Sequence, residues 1–181
     1  MANRAQAILD SVKNRVAPDI YESIEAVCGI PDDHATPAVQ ARHVAALMQK
    51  LSRHCTPDEI SEIMRPCGHR CISDHTIETA KKLYADSADL PDFLRRLNER
   101  RIGGGQLHIE GDHIVGVYDR CYCGLAKSTK DLSPDYCECS AGWFEKLFSS
   151  VLGKDVAVTQ RGTILSGALE CTFEIRWEKC S

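Results

Sequence analysis

Apolar residues in the first half of the chain recur at intervals of three and four positions, which is the spacing of one helix face. The pattern runs from residue 3 to about residue 101 and is clearest in two stretches. Its members are Ile8, Val12, Val16 and Ile20, and then Val39, Ala46, Leu47 and Leu51. We expect five helices in this half of the chain.

Three of these helices have recognisable N-terminal signals. Thr56-Pro57-Asp58-Glu59 places a capping residue, a first-turn proline and an N3 glutamate in the order of a capping box. Ser73-Asp74 and Asp89-Leu90-Pro91 predict two further helix starts. The helical pattern ends at Gly103-Gly104-Gly105, because three consecutive glycines carry a large entropic cost in a helix.

The second half of the chain changes to a period of two, which is typical of strands. A first hairpin is predicted around Glu110-Gly111-Asp112, and a last one has Val156-Ala157-Val158 and residues 169–177 as its arms. Between the hairpins, residues 140–152 return to helical spacing, and Gly153 is a suitable C-terminal stop.

The sequence therefore predicts an α+β fold. An N-terminal helical half, residues 1–102, is expected to pack on a C-terminal antiparallel ββαββ unit, residues 106–181. A cysteine-rich loop, residues 121–139, belongs to the second region. At 181 residues the chain is long enough for one well-packed domain, and we expect the two regions to form one compact unit.

Composition narrows the function classes only moderately. Hydrophobic residues make up 43% and charged residues 27%, and the net charge of -4 does not favour binding to nucleic acid. The sequence shows no signal peptide and no apolar stretch long enough for a membrane span, so a cytoplasmic protein is expected. In that compartment ten cysteines indicate metal ligands, reactive thiols or small buried residues more than disulfides.

Four of the cysteines form two Cys-x-Cys pairs within the predicted loop. They are Cys121 and Cys123, then Cys137 and Cys139. Four thiolates can surround a zinc ion or an iron–sulfur cluster, although structural zinc sites more often separate paired cysteines by two to four residues. A redox or disulfide role and a set of buried structural cysteines are the alternatives.

A second group is Cys67-Gly68-His69-Arg70-Cys71, whose cysteines stand one helical turn apart. Pro66 allows a helix to start here, and a thiol at a helix N-terminus beside basic side chains has a lowered pKa. If the protein is an enzyme, Cys67 or Cys71 is the candidate nucleophile and His69 the candidate base, with His75 as another. Alternatively, the two cysteines are packed in a helix turn, or they flank the site of the loop.

The remaining cysteines have weaker signals. Cys28 and Cys55 stand at predicted helix ends in apolar surroundings, so both are expected to be core or edge residues. Cys180 is expected to be solvated and inert.

The stretch from Tyr136 to Trp177 resembles the 4-vinyl reductase domain family of small α+β modules. The resemblance rests on a Gly-aromatic helix, residues 142–153, followed by a strand and the pattern Gly-x-x-x-Cys-x-Phe-x-Ile, residues 167–175. In the phenol-sensing members a structural zinc is held by one cysteine before this helix and by a glutamate and two cysteines in the terminal hairpin. The resemblance thus implies Cys137 and Cys171 as zinc ligands.

The match departs from that family where the glutamate and middle cysteine would stand. Those positions fall at about Gly162 and Thr163, neither of which provides an anionic ligand. Any further ligands would have to come from Cys121, Cys123 or Cys139. The whole chain also resembles an uncharacterised cysteine-rich microbial protein group, some neighbours of which are labelled as hydrolases of a cyclic thiazoline amino acid.

The function predicted first is a small-molecule-binding or sensory module stabilised by a cysteine-ligated metal, with zinc the expected ion. A small apolar or aromatic ligand and a homodimer through the N-terminal helices are the expected partners, without nucleic acid or membrane. A thiol-dependent hydrolase of a small cyclic amide or thiazoline is the alternative, as is an iron–sulfur or redox protein. The sequence leaves open whether the protein is an enzyme.

Overall fold

The N-terminal half of the chain is helical in the computed structural model. The structure describes residues 4–28, 32 and 35–177, with all of their side chains except those of residues 27 and 28. The helices are α1 (Arg4–Lys13), α2 (Pro18–Cys28), α3 (Pro37–His54), α4 (Pro57–Cys71), α5 (Asp74–Ala85) and α6 (Leu90–Glu99). The sequence predicted five helices here, and the described residues form six. The apolar run from Ile8 to Ile20 is divided before Pro18, because the residue preceding a proline disfavours helical geometry.

The predicted helix starts are confirmed. Thr56 and Glu59 form a reciprocal capping box, in which the Thr56 amide donates to Glu59 Oε2 at 2.7 Å and the Glu59 amide to Thr56 Oγ1 at 3.3 Å. Ser73 and Asp89 cap α5 and α6 by accepting from backbone amides three residues further on. These caps position α4, which carries Cys67 and Cys71 on its last turn.

The three glycines end the helical half as predicted. They form a 3-10 turn, residues 102–105, in which Gly103, Gly104 and Gly105 all have positive φ angles. A Cβ on Gly104 would lie 2.5 Å from the Tyr118 ring, so a larger residue would collide there. The turn therefore brings the chain from α6 directly to the sheet.

The C-terminal half is an antiparallel four-stranded sheet with one long helix. Its strands are β1 (Leu107–Glu110), β2 (His113–Tyr118), β3 (Val156–Gly162) and β4 (Cys171–Trp177), in the order β1-β2-β4-β3. A short helix, α7 (Gly124–Ser128), and a 3-10 turn (Pro134–Cys137) occupy the predicted loop, and α8 (Glu138–Leu152) precedes β3. Gly153 ends α8 in the left-handed conformation, as predicted.

The two halves meet where α4 crosses α8 at two glycines. A Cβ on Gly68 would lie 2.0 Å from the carbonyl oxygen of Cys139, and one on Gly142 would lie 2.2 Å from that of Arg65. Arg65 also forms ion pairs with Glu138, at 3.0 Å, and with Glu145 of α8. The predicted α+β architecture, a helical half packed on an antiparallel ββαββ unit, is confirmed.

Two hydrophobic clusters fill the interior. One is built by the N-terminal helices and includes Leu9, Leu47 and Met64, while the other lies between α8 and the sheet and includes Phe144 and Phe173. Apolar burial at about 25 cal/mol per Å² is the main stabilising term in such clusters. None of the helices in the described ranges is long and apolar enough to cross a membrane.

Candidate functional site

Seven cysteines of the described chain line two adjoining cavities between α1, α4, the loop and α8. The first cavity, about 220 Å³, contains Cys67, Cys71 and Cys139 in its wall. The second, about 180 Å³, also touches Cys71 and Cys139, and it adds Cys121, Cys123, Cys137 and Cys171. The structure thus brings together both cysteine groups that the sequence singled out, although fifty positions separate Cys71 from Cys121.

Cys71 and Cys139 form the first of two thiol pairs. Each has a larger effect on the pKa of the other than any other group does, with Cys71 exposed at the end of α4 and Cys139 partly buried in the first turn of α8. The close glycine contact places them together, because Gly68 packs against the carbonyl group of Cys139 itself. The pair is therefore a direct product of the α4–α8 crossing.

The pKa of Cys71 is lowered to about 6. The hydrogen bond donated by Cys139 is the largest cause, burial opposes it, and the charge and hydrogen bond of Arg4 add to the lowering. The pKa of Cys139 is raised well above its ordinary value, because it remains the donor to Cys71 and is also buried. Within the pair, Cys71 is therefore the thiol that ionises more readily and Cys139 the one that keeps its proton.

Arg4 connects this pair to the loop. Its Nη2 donates to Cys71 Sγ at 3.1 Å, and its Nη1 donates to Cys123 Sγ at 3.2 Å and to the Tyr136 hydroxyl at 3.1 Å. Tyr136 is buried, and its hydroxyl lies 3.4 Å from Cys123 Sγ. Burial first, and then the neighbouring Cys123, raise the pKa of Tyr136 well above its usual value.

Sequence reasoning missed Arg4 and Tyr136. Arg4 stands 67 positions before Cys71. No local motif could have indicated that contact. Tyr136 directly precedes Cys137 in the cysteine loop, and its position there was the available signal.

Cys137 and Cys171 form the second thiol pair. Each has a larger effect on the pKa of the other than any other group does, and both are buried, at 8% and 4% exposure. The hydrogen bond from Cys137 lowers the pKa of Cys171 to about 7, with burial opposing and the Ile164 amide assisting from 3.3 Å. The same hydrogen bond, and then burial, raise the pKa of Cys137.

Cys67 differs from its neighbour Cys71. It is partly buried, its thiol faces the carbonyl oxygens of Ala7 and Ile63 at 3.7 Å, and burial raises its pKa despite Arg70 nearby. The helix was expected to start near Pro66, which would have placed Cys67 at an N-terminus. Instead α4 runs through Pro66 and ends at Cys71, so Arg4 and Cys139 activate Cys71, and no helix N-terminus contributes.

The other expected participants lie elsewhere. His69 faces Glu145, with Nε2 3.5 Å from Oε2, and no histidine of the described chain lines either cavity. The alternative prediction of a thiazoline hydrolase with His69 as its base therefore has no such base among the described residues of either cavity. Cys55 is partly buried at the end of α3, as expected, while the side chain of Cys28 and all of Cys180 lie outside the described residues.

The metal-based predictions are wrong. Among the described residues no three His, Cys, Asp or Glu side chains are arranged so that they could hold a metal ion together. The five cysteines predicted as ligands, Cys121, Cys123, Cys137, Cys139 and Cys171, do surround one cavity. Two of them, Cys137 and Cys171, interact mainly with each other and a third, Cys139, interacts mainly with Cys71, which yields two cysteine pairs in place of a zinc or iron–sulfur ligand set. The prediction of a sensory module that such a metal stabilises is therefore also wrong.

Comparison with known protein families corrects the family that was inferred from the sequence. Residues 2–180 match the family described as "Family of unknown function (DUF6144)". The chain belongs to the DUF6144 family. The proposed membership of a 4-vinyl reductase-like family is therefore wrong, since the DUF6144 match spans nearly the whole chain, including the stretch on which that resemblance rested.

Two further comparisons complete the picture. A search of the curated proteins finds no match. Among solved structures, the chain is similar to the crystal structure of an H-NOX protein from S. oneidensis in the Fe(II)NO ligation state. The sequence identity is 15% and the TM-score 0.48, with 99% of this chain and 100% of that chain covered. We carry no ligand over from that protein to this member of the DUF6144 family.

Proposed function

We propose that this protein carries out thiol–disulfide exchange with a small disulfide substrate, in which Cys71 attacks and Cys139 resolves. The single observation that carries the proposal is the Cys71–Cys139 pair, which stands in the wall of both cavities. One member is exposed and contacts Arg4, while the other is partly buried. Attack on a disulfide requires a thiolate that is accessible, and a neighbouring second thiol completes the exchange.

The chemistry is balanced by the substrate disulfide, which is the oxidant. The Cys71 thiolate attacks one substrate sulfur, a mixed disulfide forms, and the other half of the substrate leaves as a thiolate that takes up a proton. Cys139 then loses its proton to the second departing thiolate and attacks Cys71 Sγ. The products are two reduced thiols and a Cys71–Cys139 disulfide.

Cys71 and Cys139 line the same two cavities, so the two cysteines that form this product are neighbours in the fold. A disulfide requires a sulfur–sulfur distance of about 2.05 Å and suitably placed Cβ atoms. Arg4 favours Cys71 as the leaving thiolate in the reverse direction as well, because a stabilised thiolate is the better leaving group.

The cavity charge supports an anionic substrate. Arg4 and Arg70 both line the first cavity, and none of the described residues in its wall is acidic. A disulfide that carries carboxylates would meet a positive surface beside Cys71, which favours its approach. Apolar side chains such as Ile8 and Met64 line the same cavity, which has a volume of about 220 Å³.

Glutathione disulfide tests the proposal. Reduced full-length protein should release two molecules of glutathione for each protein disulfide that peptide mapping detects, and the Cys71–Cys139 disulfide should be among these. The Cys71→Ser variant should release none, and the Cys139→Ser variant should stop at a Cys71–glutathione mixed disulfide. Cys55→Ser, whose thiol lines neither cavity, is the matched control and should behave as the wild type. A wild type that forms no Cys71–Cys139 disulfide would contradict the proposal.

A further inference from the structure

The second thiol pair has features that the exchange reaction at Cys71 does not use. Cys137 and Cys171 are buried at 8% and 4% exposure, so a substrate the size of glutathione disulfide cannot reach them as it can reach Cys71. They nevertheless line the same cavity as Cys71 and Cys139, and Cys137 lowers the pKa of Cys171.

Both pairs face the same cavity of about 180 Å³. Cys137 is the residue directly before α8, and Cys139 lies in the first turn of that helix. The start of α8 therefore carries one member of each pair. Their partners come from two other elements, Cys71 from the end of α4 and Cys171 from the start of β4.

The Tyr118 side chain marks how close the pairs are. Burial is the largest cause of the raised pKa of Tyr118. Electrostatic interactions of its hydroxyl with Cys139, Cys171 and Cys71 raise this pKa further. The same ring packs against Phe144 and Phe173, at centroid distances of 5.3 and 5.5 Å, so it is held in place by the core. The fixed Tyr118 side chain is therefore close enough to both cysteine pairs to be affected by their charge.

We propose that Cys137 and Cys171 form a second redox dithiol that reduces the Cys71–Cys139 disulfide inside the protein. The inference rests on the proposed exchange function, which supplies that disulfide. The substrate would then oxidise the exposed pair, and the disulfide would pass from the exposed pair to the buried pair. This transfer regenerates the exposed thiols for a second substrate.

The internal step balances without a further reactant. The Cys171 thiolate attacks Cys139 Sγ, the bond between Cys71 and Cys139 breaks, and Cys71 leaves as the thiolate that Arg4 stabilises. Cys137 then gives up its proton and attacks Cys171 Sγ, and Cys139 leaves and takes up a proton. The result is a Cys137–Cys171 disulfide and a reduced Cys71–Cys139 pair.

Time-resolved disulfide mapping of the full chain tests this relay. Fully reduced protein is mixed with excess glutathione disulfide, quenched with acid, alkylated, digested and analysed by mass spectrometry. The Cys71–Cys139 disulfide should appear first and the Cys137–Cys171 disulfide afterwards, so that both are present at the end. This ordering in the wild type needs no variant, and its absence cannot be attributed to misfolding.

Variants separate the relay from the exchange reaction. In Cys71→Ser, the Cys137–Cys171 disulfide should not form, whereas its formation at the wild-type rate would overturn the relay. In Cys137→Ala, the Cys71–Cys139 disulfide should form and persist, with about half the glutathione released. Formation of the first disulfide alone in the wild type overturns the relay and leaves the exchange function standing, and failure of the first disulfide in the wild type overturns both.

Discussion

Arg4 on the first helix donates a hydrogen bond from Nη2 to Cys71 Sγ over 3.1 Å, although 67 positions separate the two residues. The same guanidinium contacts Cys123 and Tyr136, so one side chain joins α1, α4 and the cysteine loop. Its charge stabilises the Cys71 thiolate, and the loss of that charge should be measurable in the reactivity of Cys71 alone.

The pH dependence of Cys71 alkylation should report this contact. Because the pKa of Cys71 is lowered to about 6, its thiolate is present above that pH and is lost as the pH falls through it. Alkylation by iodoacetamide, followed by peptide mass spectrometry, should therefore be half-maximal near pH 6. Arg4→Met should move the midpoint upward, because the thiolate loses its cation.

A matched variant controls for general effects of charge removal on α1. Lys13→Met removes an exposed cation from the same helix and should leave the midpoint unchanged. An Arg4→Met midpoint identical to that of the wild type would show that Arg4 does not stabilise the thiolate.

Gly68→Ala should weaken the fold and separate the first thiol pair. The new methyl group would lie 2.0 Å from the Cys139 carbonyl oxygen, so α4 and α8 must move apart. Overpacking of this kind costs about 1–3 kcal/mol, or roughly 2–10 °C in Tm for a chain of this size. Thermal unfolding measures the first effect, and the rate of Cys71–Cys139 disulfide formation measures the second.

Gly124→Ala is the control for that variant, because a Cβ at Gly124 meets nothing within 4 Å. It should have a wild-type Tm and a wild-type rate of disulfide formation. Unchanged stability and unchanged disulfide formation in Gly68→Ala would contradict the glycine contact.

Arg65→Met should destabilise the interface between the two halves. Arg65 bridges Glu138 and Glu145 of α8 and also donates to the Val158 carbonyl oxygen at 2.9 Å. Removal of the cation takes the arginine partner from two mostly buried carboxylates, at 17% and 16% exposure, and leaves Glu138 with Ser61 and Glu145 with His69. A cost of about 1–3 kcal/mol in unfolding free energy by urea denaturation is expected, since a fully buried broken pair costs roughly 3–5 kcal/mol.

Arg95→Met is the corresponding surface control. Arg95 pairs with Asp92 and Glu99 on its own helix and is 57% exposed, so its removal should change the unfolding free energy by less than about 0.5 kcal/mol. Equal effects of the two variants would show that the Arg65 network does not hold α4 against α8.

Substrate charge should affect the exchange rate through Arg70. This arginine lines the first cavity, and its Nη2 donates to the Ala7 carbonyl oxygen at 2.6 Å, which holds it beside Cys67 and Cys71. Arg70→Gln should slow the reaction with anionic glutathione disulfide by up to about five-fold, because an exposed charge interaction amounts to about 1 kcal/mol. The reaction with cationic cystamine should be unchanged or faster.

Arg100→Gln provides the matched change in net charge at an exposed position that lines neither cavity. It should leave both rates within a factor of about 1.5, as expected for weak, screened long-range charge. Equal slowing of both disulfides in Arg70→Gln would refute a role for this charge in substrate selection.

The sequence by itself determined the elements of this fold, because their signals are local. Caps at Thr56, Ser73 and Asp89 and the stop at Gly153 act within one helical turn, and all four stand where they were expected. The change from a period of three and four to a period of two separated the helical half from the sheet. The extra helix boundary at Pro18 was also a local signal, but the continuous apolar run concealed it.

Only the tertiary structure decided which cysteines belong together. Spacing favoured the two Cys-x-Cys pairs as units, whereas the fold pairs Cys139 with Cys71 and Cys137 with Cys171. The reason is that residues two apart at the start of α8 point toward different neighbours, and those neighbours are set by the helix crossing and the sheet register. Arg4 reaches Cys71 for the same reason, since the contact exists only after α1 packs on α4.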